Sequence, residues 1–316
     1  MGGGSSTYHK NYKSSDILKK MQASETEAAK LTYESWVNGF LEQCLGNFNN
    51  RDTTAINKRI DSIRKTLAND IEGVISMRFG GSLAKQTHIN GLSDIDTLVL
   101  INNTELVNDN PAEVLNYFHK ILSEKYQNTG IGIHKGDMAV TMTFDDGEIQ
   151  LLPALRYKYG IKIADGKEWS KIVKPSIFAR KLTVLNQSLF GKLVPAIKLV
   201  KAIVSNFPEN AKLNGYHIEA LAAEIFAFDR KDVAQRPTSV KVRDLLFRFF
   251  KEAPSKVRKP IKDPTGQTVH IDEYLGPQNN VRRLLVADSL ERISRKLGLA
   301  DGAFLQSTWS ELLNIK

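Results

Sequence analysis

The segment Phe79–Ile101, FGGSLAKQTHINGLSDIDTLVLI, constrains the fold more than any other part of the chain. A strand-forming run, Val74–Phe79, leads into Gly80-Gly81-Ser82. A strongly apolar second strand, through Ile101, leaves from Asp94-Ile95-Asp96. Side chains alternate along a strand, so Asp94 and Asp96 share one face, about 7 Å apart. Two carboxylates so placed repel each other unless a cation lies between them. Hard oxygen ligands at this spacing suit Mg²⁺ (or Mn²⁺), an ion that keeps several waters and completes its shell with phosphate oxygens. Gly80 and Gly81 let the backbone approach a phosphate closely, where the Ser82 hydroxyl and nearby N–H groups can hold it.

The 316 residues are enough for two lobes. Hydrophobic residues at 41% and charged residues at 25% are ordinary for a soluble globular protein. The excess of 44 Lys+Arg over 35 Asp+Glu suits a polyanionic partner: triphosphates, an oligonucleotide or a nucleic-acid activator. A single cysteine, Cys44, excludes an internal disulfide framework and a cysteine zinc site. Its apolar neighbours Phe40, Leu41 and Leu45 predict a buried structural thiol. No segment is long and apolar enough to span a bilayer. MGGGSS lacks an apolar h-region and reads as a flexible leader, not a signal peptide, so the expectation is a cytoplasmic protein.

Helical periodicity runs over 14–48, with Ser14-Ser15-Asp16 as an N-cap signal, and again over 51–70. Asn110-Pro111-Ala112 starts a helix that continues to about Tyr126. Strand patterns follow near 131–134, 138–144 and 148–153, the last two joined by the hairpin signal Asp145-Asp146-Gly147. Lys158–Asp165 adds a short strand and turn. After Lys174-Pro175 the pattern is helical, with helices near 176–189, 195–206, 216–228, 238–252 and 279–297 and a last one after Thr308. Residues 229–240 and 254–278 are the Pro/Gly/Lys-rich connections. The expected organisation is a leader over 1–13, a mixed α/β lobe with N-terminal helices over 14–170, and a helical lobe over 171–316.

The Gly80–Ile101 segment resembles the signature of the DNA polymerase β-like nucleotidyltransferases. Ile149-Gln150-Leu151-Leu152-Pro153-Ala154 resembles their third metal-site strand. Trp169 with Lys174-Pro175, then Leu193–Lys201 (LVPAIKLVK) and Gly215–Glu219 (GYHIE), follow in the order of one subgroup. That subgroup is the bacterial CD-NTases, relatives of cyclic GMP–AMP synthase and oligoadenylate synthase. The resemblance implies an α+β, two-lobed polymerase β-like fold, with a mixed β-sheet catalytic lobe and a helical C-terminal lobe. It implies an enzyme that joins nucleoside triphosphates into a cyclic or linear oligonucleotide second messenger in anti-phage signalling, with a downstream effector that binds the product.

Under this resemblance Asp94 and Asp96 hold the metal, and Gly81 and Ser82 hold the triphosphate, with Lys85 and Thr87 nearby. The third carboxylate of the superfamily falls on Gln150, a neutral oxygen donor that does not offset metal charge. Glu148, two residues upstream, lies on the same strand face. Lys198 and Lys201, three apart on one helix, share a flank. Lys201 would reach the triphosphate from the helical lobe, with Lys198 as the second candidate; the alternative is an ordinary solvated flank. Tyr216 either stacks on a nucleobase or fills the core between lobes. His217 reads as a helix-start or core histidine, and Trp169 as an anchor between lobes. The basic run 241–262, with Phe247, Phe249 and Phe250, reads as a solvated flank over a helix core.

Two other readings stay open. One is a terminal nucleotidyltransferase acting on RNA or on a protein hydroxyl. The other is a weakly active nucleotide-binding regulator, motivated by Gln150.

Overall fold

The computed structural model describes residues 14–50, 52–90, 92–227, 239–263, 265 and 268–314. Two helices come first, α1 (Ser14–Asn49) and α2 (Thr53–Asp70), the second capped by Asp52, whose carboxylate accepts from the Ala55 N–H at 2.8 Å. Strand β1 (Gly73–Phe79) enters a one-turn helix, α3 (Gly81–Ala84), and β2 (Ile95–Thr104) leaves from the aspartates. Helix α4 (Pro111–Lys125) starts as its sequence predicts: Asn110 and Glu113 form a reciprocal capping box with Pro111 in the first turn. Strands β3 (Gly132–Lys135), β4 (Val140–Phe144), β5 (Gly147–Tyr157), β6 (Gly160–Asp165) and β7 (Glu168–Trp169) complete the sheet.

The strand order is β1-β2-β5-β4-β3, with β6 added to β5 and β7 to β6. Among the described residues only the central pairing of β2 with β5 is parallel, with Asp96 opposite Gln150. Alternation divides the sheet into two faces. Ile95, Val99 and Ile101 of β2 and Ile149, Leu151 and Leu155 of β5 pack on Ile63 and Leu67 of α2 and Val114, Phe118 and Leu122 of α4. The opposite face carries Asp96, then Leu98 and Leu100, beside Ala154, Ile161 and Ile163. That second face is the floor of the cleft described below.

Helices α5 (Pro175–Ser188), α6 (Leu193–Ser205), α7 (Gly215–Ile225), α8 (Val242–Val257), α9 (Val281–Gly302) and α10 (Gln306–Leu313) build the second lobe. Its core takes in Tyr33, Val37, Leu41 and Cys44 of α1. The buried Trp309 indole donates to the Tyr33 hydroxyl at 2.9 Å. A division at residue 170 places α1 with the sheet; its apolar face in fact packs in the helical core. Cys44 is buried, and burial pushes its thiol up to about 11.

Other differences from the sequence reading have local causes. Helix α8 runs through Pro254 to Val257, because the buried Leu246, Phe250 and Val257 keep one face packed beyond the proline. The expected connection over 229–240 falls mostly outside the described residues, as do the side chains of the Ser14–Asp16 cap. Trp169 anchors the sheet lobe itself, not the two lobes to each other. It packs against the core beneath the sheet, and its indole donates to the Asp109 carbonyl at 3.1 Å.

Arg283 is fully buried on α9 and gathers the chain between α8 and α9 around itself. Its guanidinium donates to the carbonyls of Gly276 (2.8 Å) and Val257 (3.0 Å) and to Asp272 Oδ2 (2.6 Å). Asp272 also accepts from the Ile261 N–H at 3.1 Å. This knot sets the segment that reaches over to α7. Arg283→Ala leaves Asp272 buried and uncompensated, so urea unfolding at neutral pH should show a loss of about 3–5 kcal/mol.

Candidate functional site

The site forms where β1 ends and β2 begins. The Gly80 N–H donates to the Asp96 carbonyl at 2.8 Å, which clamps α3 onto β2. Gly81 has φ +48°, and a Cβ built there falls on the Asp96 carboxylate. Only glycine fits: the backbone of the Gly-Ser turn lies directly against the second aspartate. Asp94 precedes the strand near the surface, and Asp96 is half-buried. Partial burial, then the neighbouring Glu148 charge, raises the Asp94 carboxyl above its usual range. Burial also raises Asp96, with Lys85 opposing. The Gln150 amide donates to Asp94 Oδ2 at 2.9 Å, a hydrogen bond that an ionised carboxylate at this position could not make. Glu148 accepts from the Thr143 hydroxyl at 3.1 Å.

These groups bear on a divalent cation directly. Two carboxylates disfavoured as anions by burial and by a neighbouring negative charge, Glu148 beside Asp94 and Asp94 beside Asp96, are stabilised by a cation. Among the described residues no third His, Cys, Asp or Glu joins them in a metal-binding cluster. Asp94 and Asp96 therefore fit an ion that takes one or two carboxylates and draws the rest of its shell from water and substrate phosphate, as Mg²⁺ does.

Behind α3 lies a buried polar cluster centred on Glu219 of α7, whose side chain is 1% exposed. Lys85, at the end of α3, and Lys201 of α6 both form ion pairs with it, the latter at 2.8 Å. The buried Thr87 hydroxyl donates to Glu219 Oε1, and Lys201 Nζ also donates to the Thr87 carbonyl at 3.1 Å. Burial alone would raise the Glu219 carboxyl, but the two ammonium groups hold it below the usual 4.5. Burial pulls Lys201 down, with the Glu219 charge opposing. One carboxylate faces two lysines, so the cluster keeps one positive charge beside the Gly-Ser turn.

A cleft of about 790 Å³ opens in front of these groups. Gly80, Gly81, Lys85 and Asp96 line one end, and Phe178 of α5 and Tyr216 of α7 form the wall from the helical lobe. Tyr216 meets Phe178 edge to face, with ring centroids 5.2 Å apart, and Lys85 Nζ sits 4.9 Å from its ring centroid. The Tyr216 hydroxyl donates to Asp263 Oδ1 at 2.7 Å. Burial, then this bond to Asp263, pushes the phenol well above its ordinary value. Its neighbour His217 is fully buried, and burial lowers its pKa to about 4, as expected for a core histidine.

The structure thus brings together Asp94, Asp96, Gly81, Ser82, Lys85, Gln150 and Tyr216. It sets Thr87 and Lys201 one layer back, as buried supports of the cradle rather than cleft-lining groups. Lys198 turns away to Asn49 Oδ1, at 2.5 Å, against the end of α1. The basic run also resolves into pairs. Lys241 and Arg243 meet Glu34, Arg248 meets Glu252, Lys256 meets Glu224, and Arg258 meets Glu291. Glu219, Phe178 and Asp263 escaped the sequence reading. Glu219 closes the GYHIE segment quoted above, and as a carboxylate ahead of the apolar run Ala220–Ala223 it demands a partner on burial.

Residues 31–186 match the family model of the Second Messenger Oligonucleotide or Dinucleotide Synthetase domain. No curated protein matches the sequence. Solved structures share the fold at low identity. The Bradyrhizobium diazoefficiens CD-NTase CdnG, solved with GTP, is 11% identical, with a TM-score of 0.63 over 87% of this chain and 96% of that one. CdnC of Escherichia coli MS115-1, solved with HORMA-deltaN, is 14% identical, with a TM-score of 0.60 over 85% and 93%. The Vibrio cholerae cyclic AMP-GMP synthase DncV, solved with a linear intermediate, is 12% identical, with a TM-score of 0.58 over 95% and 89%. The chain shares the two-lobed fold of these structures. Its segment 31–186 belongs to the second messenger synthetase domain family, and its fold is that of the bacterial CD-NTases.

Two predictions follow from the electrostatics. The folded state holds the Asp96 proton more tightly than the unfolded chain does. Its contribution to stability is therefore present below the ordinary 3.8 and lost as pH rises through the raised value. Asp96→Asn should accordingly raise the Tm of the metal-free protein at pH 7. Glu219 has the opposite sign: its contribution is present above 4.5 and is lost as pH falls through the lowered value. Glu219→Gln should cost about 3–5 kcal/mol in urea unfolding at pH 7, a difference that shrinks in acid.

Proposed function

We propose that the protein joins nucleoside triphosphates into a cyclic or linear oligonucleotide second messenger, releasing pyrophosphate. The observation that carries this reading is the contact between Gly81 and Asp96. It sets a backbone phosphate cradle directly against a carboxylate that a divalent cation would stabilise. A triphosphate lies along α3 with Gly81 and Ser82 at its phosphates and Lys85 supplying positive charge from the cleft wall. Asp94 and Asp96 would hold Mg²⁺ or Mn²⁺; when bound, the metal neutralises phosphate charge and lowers the pKa of the attacking hydroxyl. The chain's own groups orient the reactants. A sugar hydroxyl of one nucleotide attacks the α-phosphorus of another in line, a phosphodiester forms, and pyrophosphate leaves with the electron pair. Tyr216, fixed by Phe178 and Asp263, offers its face to a base, a contact worth about 1–3 kcal/mol and tolerant of base identity.

The family match supports a nucleotide second messenger as the product, and the resemblance to the CD-NTases adds a role in anti-phage signalling with an effector that binds it. The HORMA partner of CdnC supports regulation by a second protein. The formal charge of +9 leaves a polyanionic activator within the reading. Among the described residues no helix is long and apolar enough to cross a membrane. A cytoplasmic setting, where nucleoside triphosphates are abundant, fits the reading.

One observation favours a second reading. Gln150 stands where the superfamily has its third carboxylate, and its amide is committed to Asp94. A protein so equipped could bind nucleotide and turn it over poorly. Labelled ribo- and deoxynucleoside triphosphates with Mg²⁺ or Mn²⁺, resolved before and after phosphatase, separate the cases. Phosphatase-resistant product that disappears in Asp96→Ala is the expected result. Label on RNA or protein supports a terminal nucleotidyltransferase. Tight binding without turnover, relieved by Gln150→Glu, supports the regulator.

A further inference from the structure

The cleft is longer than its catalytic end requires. Strand β5 runs from Gln150, opposite Asp96, to Tyr157, seven residues or about 23 Å along the strand. The lining changes character on the way. Carboxylates stand at one end. An apolar floor of Leu98, Leu100, Leu152, Ile161 and Ile163 follows. The far end is Arg156-Tyr157-Lys158-Tyr159, where β5 turns into β6, and it carries no acidic residue.

That turn is firmly built. Tyr157 pairs with Gly160, so Lys158 and Tyr159 form a two-residue hairpin tip. Gly160 packs so tightly on Val173 that a Cβ would fall 2.3 Å from the Val173 carbonyl. Two backbone hydrogen bonds between Ile161 and Val173, at 3.0 and 2.8 Å, tie the hairpin to the start of the helical lobe. On this rigid base Tyr159 is 69% exposed and Tyr157 43% exposed. Lys158 Nζ lies 5.2 Å from the Tyr159 ring centroid, and Lys162 Nζ lies 5.6 Å from that of Tyr157. Among the described residues no carboxylate forms an ion pair with Arg156, Lys158 or Lys162. Exposed aromatic rings cost solvation, and unpaired cations beside them leave positive charge available. Together they match what single-stranded nucleic acid offers: stackable bases and a phosphate backbone.

We infer that the Tyr157–Gly160 hairpin is a stacking platform for a single-stranded oligonucleotide, holding the distal bases of a growing product while its reactive end lies at Asp96. This rests on the reading of the site as an oligonucleotide synthase, and it adds a second binding locus to it. The Tyr159 ring takes a base, and Lys158 and Arg156 take the flanking phosphates. The apolar floor between the two ends lies beneath the sugars and bases that connect them. A platform at this distance lets the chain keep hold of a product longer than one nucleotide after pyrophosphate leaves.

The test is equilibrium binding of fluorescein-labelled pentaadenylate to the full chain, followed by anisotropy across a salt series. Tyr159→Ala should weaken binding about five- to a hundredfold, and Tyr159→Phe should retain it. Lys158→Ala should lower the salt slope by about 0.7, the value for one phosphate contact on a single strand. Because Tyr159 sits on an exposed tip, the melting temperature of each variant should match that of the parent. Equal affinity of Tyr159→Ala and the parent overturns the inference, as does equal binding of an abasic pentamer by the parent. Failure to bind pentaadenylate at all overturns it too. Turnover of nucleoside triphosphates by the parent is scored separately. Turnover with hairpin-independent binding sinks only the platform. Hairpin-dependent binding without turnover supports the platform as an oligonucleotide site and sinks the synthase reading.

Discussion

The meeting of Glu219 with Lys85 and Lys201 is the interaction on which the site depends. A carboxylate that is 1% exposed would be neutral or expelled without a cation beside it. Here the cations come from both lobes: Lys85 follows the Gly-Ser turn of the sheet lobe, and Lys201 and Glu219 belong to helices of the other. Such a pairing is not valuable chiefly for stability, since desolvation offsets most of its Coulomb attraction. Its value is in position. The charges are satisfied in one arrangement only, so α3 and α7 are fixed relative to each other. The cleft between them, with Asp96 on one side and Tyr216 on the other, inherits that fixed width.

The second wall is held by a chain of buried polar contacts that reaches back to α9. Arg283 ties Asp272 and the carbonyls of Val257 and Gly276 into one knot. The same segment delivers Asp263, which accepts from Tyr216, from the Thr265 N–H at 2.7 Å and from the Thr268 N–H at 3.0 Å. The Thr265 carbonyl then accepts from the Lys174 N–H at 3.0 Å, at the start of α5. The stacking proposed for Tyr216 would require a ring that presents a fixed face. Phe178 supplies the apolar contact and Asp263 the polar one, so Tyr216 is held at both its edge and its hydroxyl. Fully committed, the Asp263 carboxylate has no capacity left to read the base itself.

Much of this was legible in the sequence because it is local. The alternation around Asp94 and Asp96, the glycines before Ser82, the Asn110–Glu113 cap and the core histidine each follow from neighbours within a few residues. What was not legible depends on contacts far apart in sequence. Lys198 and Lys201 are equivalent by spacing. Only tertiary packing decides that one meets Asn49 and the other meets Glu219. Thr87 follows the Gly-Ser turn as a phosphate-binding residue would, yet the turn of chain after α3 carries it inward beneath the helical lobe. Helix α1 has the periodicity of any amphipathic helix. Nothing in that pattern says which lobe supplies the complementary face. Trp169, next to the lobe boundary, reads as an interlobe anchor by position alone. The two-residue β7 pairing with β6 turns its ring back under the sheet.

At Gln150 an amide stands beside Asp94 where the resemblance implies a carboxylate. A carboxylate there would face Asp94 with a third negative charge, beside Glu148, in a region where burial already raises both aspartates. The amide replaces that repulsion with a hydrogen bond at 2.9 Å and keeps an oxygen for other partners. The consequence is an acidic pair with one repulsion fewer than three carboxylates would carry. In the proposed function phosphate oxygens would bring the missing negative charge to the ion. Under the proposed function such a site would load its ion together with the triphosphate, and the lysines around Glu219 would favour that arrival from the opposite side of the cradle.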